Sequence, residues 1–165
     1  DGYQLLEEIK DKYPELPVIF ISARDADMDK VIGLEKGSDD YLAKPFSPRE
    51  LVIRTKKLLE RVYKNNDSEK IYDYSQYKVD INKRSVVNED HQEIKLTSKE
   101  FDLLIYFLKN KKVALSREQI LNNVWGKDYY GTDRVVDDLI RRLRKKLPEL
   151  NLETIYGHGY RLMKT

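Results

Sequence analysis

The sequence predicts an α/β region of the doubly wound type followed by an α+β domain. In the first third of the chain, short apolar strands alternate with helical patterns, which is typical of a parallel sheet covered by helices. Later, short β-prone stretches precede three helical patterns, and two strands around a Gly-x-Gly turn close the chain. Because a polar run separates the two patterns, we predict domains at 1–63 and 71–165, joined by a linker at 64–70.

Apolar runs and helix caps define the elements of the first region. Residues 18–21 are continuously apolar, as expected of a buried parallel strand. A helix over about residues 27–36 follows and ends at Gly37, a residue suited to a left-handed cap. After a second short strand at residues 41–43, the sequence Ser-Pro-Arg-Glu at residues 47–50 opens another helix, with serine as N-cap.

The second region is patterned as strands, then helices. Its β-prone stretches lie at residues 71–74, 77–81, 85–87 and 93–96. Thr-Ser-Lys-Glu at residues 97–100 and Ser-Arg-Glu-Gln at residues 116–119 are capping boxes, which predict that two helices begin there.

The third helical pattern, over residues 132–147, carries the strongest functional signal. Its apolar stripe consists of Val136, Leu139, Ile140, Leu143 and Leu147. Its opposite face gathers Arg134, Asp138, Arg141, Arg142 and Lys145. A helix anchored by one apolar stripe, with arginines outward and a hairpin after it, fits the major groove of B-DNA beside a phosphate backbone. The pattern therefore predicts binding of double-stranded DNA.

Composition excludes several other classes of protein. The chain has no cysteine, which rules out disulfides, thiolate metal sites and a cysteine nucleophile, and it has only two histidines. Its apolar runs are too short to cross a bilayer, and nothing resembles a secretory signal. We therefore expect a soluble, cytoplasmic protein with no membrane partner. Since no metal cluster, phosphate loop or nucleophile–base pair is evident, we expect no enzyme.

Five motifs make the second region similar to the winged helix-turn-helix DNA-binding domain of the OmpR/PhoB class of response regulators. They are Leu96-Thr97-x-x-Glu100-Phe101-x-Leu103-Leu104, Ser116-Arg117-Glu118-Gln119-x-Leu121, Val124-Trp125-Gly126, Ile140-Arg141-Arg142-Leu143-Arg144-Lys145-Lys146-Leu147 and Gly157-x-Gly159-Tyr160-Arg161. The resemblance covers residues 71–165 without a large gap.

The first region resembles the C-terminal half of the receiver domain in the same family. The motifs that carry this resemblance are Asp1-Gly2-Tyr3, Ser22-Ala23-Arg24, Gly33-Leu34-Glu35-x-Gly37-x-Asp39-Asp40-Tyr41 and Lys44-Pro45-Phe46-Ser47-Pro48. By that resemblance, the phosphoacceptor aspartate and the acidic Mg²⁺ ligands would precede Asp1. We therefore expect the sequence to be part of a longer chain, with Mg²⁺ in the complete receiver and no metal or cofactor within residues 1–165.

Three residues of the first region are candidates for supporting the phosphorylation site. An aspartyl phosphate needs a cation and hydroxyl donors near its oxygens, and Lys44 and Ser22 stand at the ends of neighbouring strands. The resemblance implies that Ser22 and Tyr41 form a coupled switch, and that the Lys44–Pro45 peptide bond is cis. Without the resemblance, Lys44 would be interpreted as a surface lysine and Tyr41 as a core aromatic.

Six charged residues of the first region form a candidate dimer interface. Taken alone, they are typical of a solvated helix surface. The resemblance instead implies that they pair between two receivers in a symmetric, phosphorylation-promoted homodimer. The implied pairs are Lys30 with Glu50, Asp40 with Arg54 and Glu35 with Lys56.

The resemblance also assigns contacts to the DNA backbone, which fix position rather than sequence. It implies that two residues flanking the third helix, Arg117 and Trp125, touch the backbone. The further phosphate partners that it implies are Arg134, Arg141 and Arg144.

Base contacts involve fewer residues. Arg142 is the candidate for a bidentate contact to guanine, and Val135 and Asp138 occupy further base-facing positions. Asp138 either accepts from a cytosine amino group or holds Arg134 or Arg142 in place, and the sequence leaves both interpretations open. Tyr156 replaces the family's wing arginine, which puts one A·T-reading contact in doubt.

The resemblance implies a transcriptional regulator of a two-component phosphorelay that binds direct-repeat promoter sites. A sensor histidine kinase is the implied partner upstream, and RNA polymerase is the implied partner of the loop at residues 125–133. The alternative is a winged-helix adaptor that binds protein rather than DNA. Salt dependence separates the two, because DNA binding weakens steeply as salt rises.

Overall fold

The structure, a computed structural model, describes residues 1–24, 27–63, 71–126 and 132–164. Its first part alternates helices and strands: α1 Gly2–Lys12, β1 Ile19–Ser22, α2 Asp27–Glu35, β2 Asp40–Ala43 and α3 Pro48–Tyr63. β1 and β2 pair in parallel, with the carboxyl ends of both strands at the same edge. This arrangement confirms the predicted α/β class for the first region.

Helix α1 is absent from our sequence-based assignment. Asp1 caps it, since its side chain accepts a hydrogen bond from the backbone N–H of Gln4 at 2.9 Å while the Gln4 side chain accepts from the N-terminal amine. The side chain of Leu6, in this helix, is buried. The ammonium group of Lys10 is buried as well and donates to the Leu16 carbonyl oxygen at 2.6 Å. The ring of Tyr3 in α1 stacks on the ring of Phe20 in β1 with their centroids 4.9 Å apart, so the helix packs against this strand.

The second part begins with strands and ends with a hairpin. Its elements are β3 Ile71–Tyr74, β4 Tyr77–Asp80, β5 Ser85–Val87, α4 Ser98–Lys109, β6 Leu115–Ser116, α5 Arg117–Val124, α6 Arg134–Lys146, β7 Leu152–Ile155 and β8 Gly159–Leu162. One antiparallel sheet has the order β3-β4-β5 and the other has the order β6-β8-β7. Both predicted capping boxes are present, at Thr97 with Glu100 and at Ser116 with Gln119. The α+β winged-helix class is confirmed.

One strand assignment from the sequence was wrong, and one strand was missed. Residues 93–96 do not form a strand, and within them the structure has an isolated bridge between Glu93 and Val87. The chain leaves the sheet there because Thr97 caps α4 directly afterwards. Conversely, β6 was missed because its two residues are too short to show a pattern. It forms by pairing with β8, where a Cβ on Gly159 would lie 2.0 Å from the Leu115 carbonyl oxygen, so this position requires glycine.

The core of the second part lies among α4, α5, α6 and both sheets. The predicted apolar stripe of α6 is confirmed, because all five of its residues are buried: Val136, Leu139, Ile140, Leu143 and Leu147. Lys146 donates to the buried carboxylate of Glu100 at 2.5 Å and so ties the end of α6 to the start of α4. The opposite face of α6 is thereby held outward.

Candidate nucleic-acid interface

Helix α6 presents its arginines on the face away from the core. The Arg141 side chain is 69% exposed, whereas the Arg142 side chain is 25% exposed. Arg134 is exposed in the first turn of the helix. The structure thus places three of the predicted DNA contacts on one rigid, well-anchored element.

Asp138 holds two of these arginines. One of its carboxylate oxygens accepts from Arg141 at 2.6 Å, and the other lies 2.6 Å from a terminal nitrogen of Arg142. The contact with Arg142 is the one that the second of the two sequence-based interpretations predicted. The second residue that it holds is Arg141 rather than Arg134.

Residues of two other elements, α5 and β7, contact α6. Arg117, at the start of α5, donates through Nε to Asp137 at 2.8 Å, and this hydrogen bond raises the pKa of the guanidinium group. Arg144 donates to the Leu152 carbonyl oxygen at 2.7 Å and to the Thr154 hydroxyl at 3.0 Å. The predicted phosphate partners Arg117 and Arg144 are therefore fixed by contacts to neighbouring elements.

The wing is the turn between β7 and β8. Tyr156 lies at this turn and is 92% exposed, and Gly157 follows it with a φ of 73°. Arg161, in β8, pairs with Glu153 at 2.9 Å. An exposed aromatic side chain therefore occupies the wing position at which the sequence lacks the family's arginine.

Trp125 is more buried than we expect of a side chain that contacts the DNA backbone. It is half-buried at the end of α5, where the ammonium group of Lys99 lies 5.8 Å from its ring centroid. The Trp125 side chain also packs against the buried cluster formed by Val31 and Leu34 of α2 and Val135 of α6. The remainder of the predicted polymerase loop, residues 127–131, lies outside the described residues.

Helix α2 covers the first turn of α6. Val135 is only 2% exposed, because it packs against Val31 and Leu34. We predicted a base-facing position for Val135, and that role requires α2 to move away.

Buried polar contacts also connect the first part of the chain to the second. The buried carboxylate of Asp39 accepts from Lys10 at 3.1 Å and also from the hydroxyl of Ser98 in α4. Burial opposes the ionisation of Asp39, but the ammonium groups of Lys10 and Lys99 outweigh it, so its pKa lies below the ordinary value. Burial and the charge of Arg61 lower the pKa of Lys99 to about 8. The first and second parts thus share a buried ionic network.

The candidate phosphorylation support lies at the carboxyl edge of the two parallel strands. The Lys44 backbone N–H donates to the Ser22 carbonyl oxygen at 2.7 Å, which brings these residues together as predicted. Tyr41 is buried, and its hydroxyl donates to the Arg24 carbonyl oxygen at 2.7 Å. The Lys44–Pro45 peptide bond is cis, as the resemblance implies.

The Mg²⁺ ligands of a complete receiver have no counterpart in the described part of the chain. Across residues 1–24, 27–63, 71–126 and 132–164, no three acidic or histidine side chains cluster so that they could hold a metal ion.

The candidate dimer face is partly paired within one chain. Arg54 donates to Asp40 at 3.0 Å and lies 3.3 Å from Glu50. Burial lowers the pKa of Arg54, but these two carboxylates outweigh burial and raise the pKa above its ordinary value. Lys30, Asp40, Glu50 and Arg54 also line a cleft of about 740 Å³, and Trp125 is another of its lining residues. The remaining two residues, Glu35 and Lys56, lie at the end of α2 and in α3.

Comparisons with known proteins agree with this architecture. The family model described as "Response regulator receiver domain" matches residues 1–56, and "Transcriptional regulatory protein, C terminal" matches residues 91–162. Transcriptional regulatory protein CssR of Bacillus subtilis is 59% identical over 167 residues, which cover 100% of this chain and 74% of CssR. None of the described helices is long and apolar enough to cross a membrane.

Two solved structures are similar as well. The crystal structure of the DNA-binding domain of Bacillus subtilis CssR is 61% identical with a TM-score of 0.52, covering 53% of this chain and 99% of that domain. Response regulator DrrB of Thermotoga maritima, an OmpR/PhoB homolog, is 33% identical with a TM-score of 0.52, covering 99% of this chain and 74% of DrrB.

A receiver region followed by a winged helix with an outward arginine face defines a DNA-binding regulator controlled by a receiver. The chain belongs to the OmpR/PhoB family of response regulators, which are transcription regulators of two-component systems.

Proposed function

We propose that the chain regulates transcription in the bacterial cytoplasm by placing α6 in the major groove of direct-repeat promoter sites. The observation that carries this proposal is the orientation of α6, whose apolar stripe is buried while Arg134, Arg141 and Arg142 face outward. A sensor histidine kinase would supply the phosphoryl group to an aspartate of the receiver. RNA polymerase is the proposed partner of the loop that begins at Trp125.

Duplex DNA binding should depend steeply on salt. Four arginines are proposed to contact phosphates, so the logarithm of the binding constant should fall with the logarithm of salt concentration at a slope of about −4. The measurement is a fluorescence anisotropy titration at several salt concentrations, on sites selected from random duplex DNA. A protein-binding adaptor would show no saturable DNA binding, and that outcome would contradict the proposal.

We further propose that the receiver face formed by α2, β2 and α3 pairs with the same face of a second chain. In the structure this face instead lines the cleft against Trp125, while Val31 and Leu34 cover Val135 of α6. One surface cannot serve both contacts at once. Dimerisation would therefore compete with the packed arrangement and expose the base-facing end of α6.

The proposed dimer can be tested by exchanging charges in the Lys30–Glu50 pair. In a chain with a complete, phosphorylated receiver, Lys30→Glu and Glu50→Lys should each raise the dimer dissociation constant several-fold, because each creates a like-charge pair. The double variant should restore dimerisation, since the pair is re-formed with reversed sign. Analytical ultracentrifugation would measure the three variants.

Glu60→Lys provides the matched control, because Glu60 is exposed on α3 and lies outside the proposed pairs. It should leave dimerisation unchanged. If the double variant dimerised no better than the single variants, this pairing would be wrong.

A further inference from the structure

Asp137 makes contacts that no prediction from the sequence assigned. One oxygen of its carboxylate accepts from Arg117 Nε at 2.8 Å and from the Tyr160 hydroxyl at 2.5 Å. These three residues come from the first turn of α6, the start of α5 and strand β8. A single carboxylate thus joins the recognition helix, its neighbouring helix and the wing.

The ring of Tyr160 gathers two arginines. The guanidinium carbons of Arg117 and Arg144 lie 5.3 and 5.4 Å from its centroid, distances typical of cation–π contacts. Tyr160 is buried, and Arg144 is fixed further by its hydrogen bonds to β7. Two of the proposed phosphate contacts therefore depend on the placement of one aromatic ring.

The protonation states suit this arrangement. Burial and the hydrogen bond to Asp137 raise the pKa of Tyr160 above its ordinary value, so its hydroxyl remains a donor near neutral pH. Arg117 bonds to Asp137 through Nε, and this contact leaves its two terminal nitrogens to other partners. A guanidinium group held in this way can still donate to a phosphate.

Asp137 is unexpected on electrostatic grounds. A carboxylate on a surface that meets DNA repels the phosphate backbone, so its removal should strengthen binding if charge alone mattered. The contacts to Arg117 and Tyr160 give the carboxylate a different role.

We propose that Asp137 is a positioning residue for DNA binding. It orients Arg117 directly, and it holds the Tyr160 ring on which both Arg117 and Arg144 rest. This inference rests on the proposed DNA-binding function and deepens it, because it identifies what fixes two of the phosphate contacts.

The test compares Asp137→Ala with Asp133→Ala in the full chain. Asp133 is the matched control because it precedes α6 and makes no capping hydrogen bond through its side chain. Asp137→Ala should bind selected duplex DNA about tenfold more weakly, with a salt slope shallower by about one phosphate contact. Asp133→Ala should bind at least as tightly as wild type, since it loses only a negative charge.

Tyr160→Phe keeps the ring but removes the donor, and it leaves the charge unchanged. We expect severalfold weaker binding, and the double variant Asp137→Ala/Tyr160→Phe should bind no worse than Asp137→Ala, because both changes break one network. Thermal unfolding would verify that the variants fold. If Asp137→Ala does not fold, the binding of Tyr160→Phe decides the test.

The outcomes separate this inference from the function on which it rests. Wild-type chain that shows no salt-dependent DNA binding would overturn both. Normal wild-type binding, together with Asp137→Ala binding as tightly as wild type or more tightly, would overturn only the positioning role. An unchanged salt slope in both Asp137→Ala and Tyr160→Phe would overturn it as well.

Discussion

Val31→Glu is expected to strengthen binding of the chain to duplex DNA by about tenfold. Val31 packs with Leu34 against Val135 in the first turn of α6, so glutamate would place an unpaired carboxylate in a buried apolar contact. Burying such a group costs at least about 1.4 kcal/mol, which corresponds to a tenfold change in an equilibrium. The packed arrangement should therefore give way to one in which α6 is accessible.

The size of this effect follows from the populations of the two arrangements. If DNA binds only when α2 has left α6, the measured dissociation constant equals the intrinsic constant divided by the accessible fraction. Val31 lies outside the proposed DNA-contacting residues, so the substitution should act on that fraction and leave the salt slope as it is. A gain in affinity at constant slope would distinguish release of α6 from the creation of a new DNA contact.

Met28→Glu is the matched control for this prediction. Met28 lies on the same helix and is 62% exposed, so the same charge is added without disturbing the contact with α6. Its DNA affinity should equal that of wild type. Equal affinities of Val31→Glu and wild type, with both chains folded, would show that α2 does not restrict α6.

Local patterns were sufficient to predict most of the fold. The stripe of α6 and the capping boxes at Thr97 and Ser116 depend on residues close in sequence, and all of them are present. Strand β6 depends instead on pairing with β8, more than 40 residues away, and two residues carry no recognisable pattern. Helix α1 was missed although Asp1 and Gln4 formed a cap signal at its start.

The candidate site was predicted less completely than the fold. The sequence indicated which face of α6 carries arginines, but it could not show which carboxylate each arginine meets. Arg117 and Tyr160 lie 20 and 23 residues from Asp137, and their shared contact follows only from the packing of α5 and the wing on α6. The burial of Val135 was not predicted, because its contact with α2 joins the two parts of the chain and leaves no local sequence pattern.

Arg142→Ala should produce the largest loss of sequence discrimination on α6. A bidentate arginine contact to guanine contributes about 1–3 kcal/mol of discrimination, so binding to the selected site should weaken by roughly 5- to 150-fold. Binding to unrelated duplex DNA should change much less, because a base contact contributes little there. Competition titrations with selected and scrambled duplexes would measure both affinities.

Arg141→Ala is an unusually close control, because Arg141 and Arg142 each bind the carboxylate of Asp138 at 2.6 Å. Either substitution therefore removes one charge and one contact to Asp138. As a phosphate partner, Arg141 should contribute similarly on every sequence, so its loss should weaken both duplexes alike and reduce the salt slope by about one. Arg142 should change the ratio of the two affinities instead. If Arg142→Ala left that ratio as it is in wild type, the base contact would have to be reassigned to another residue of α6.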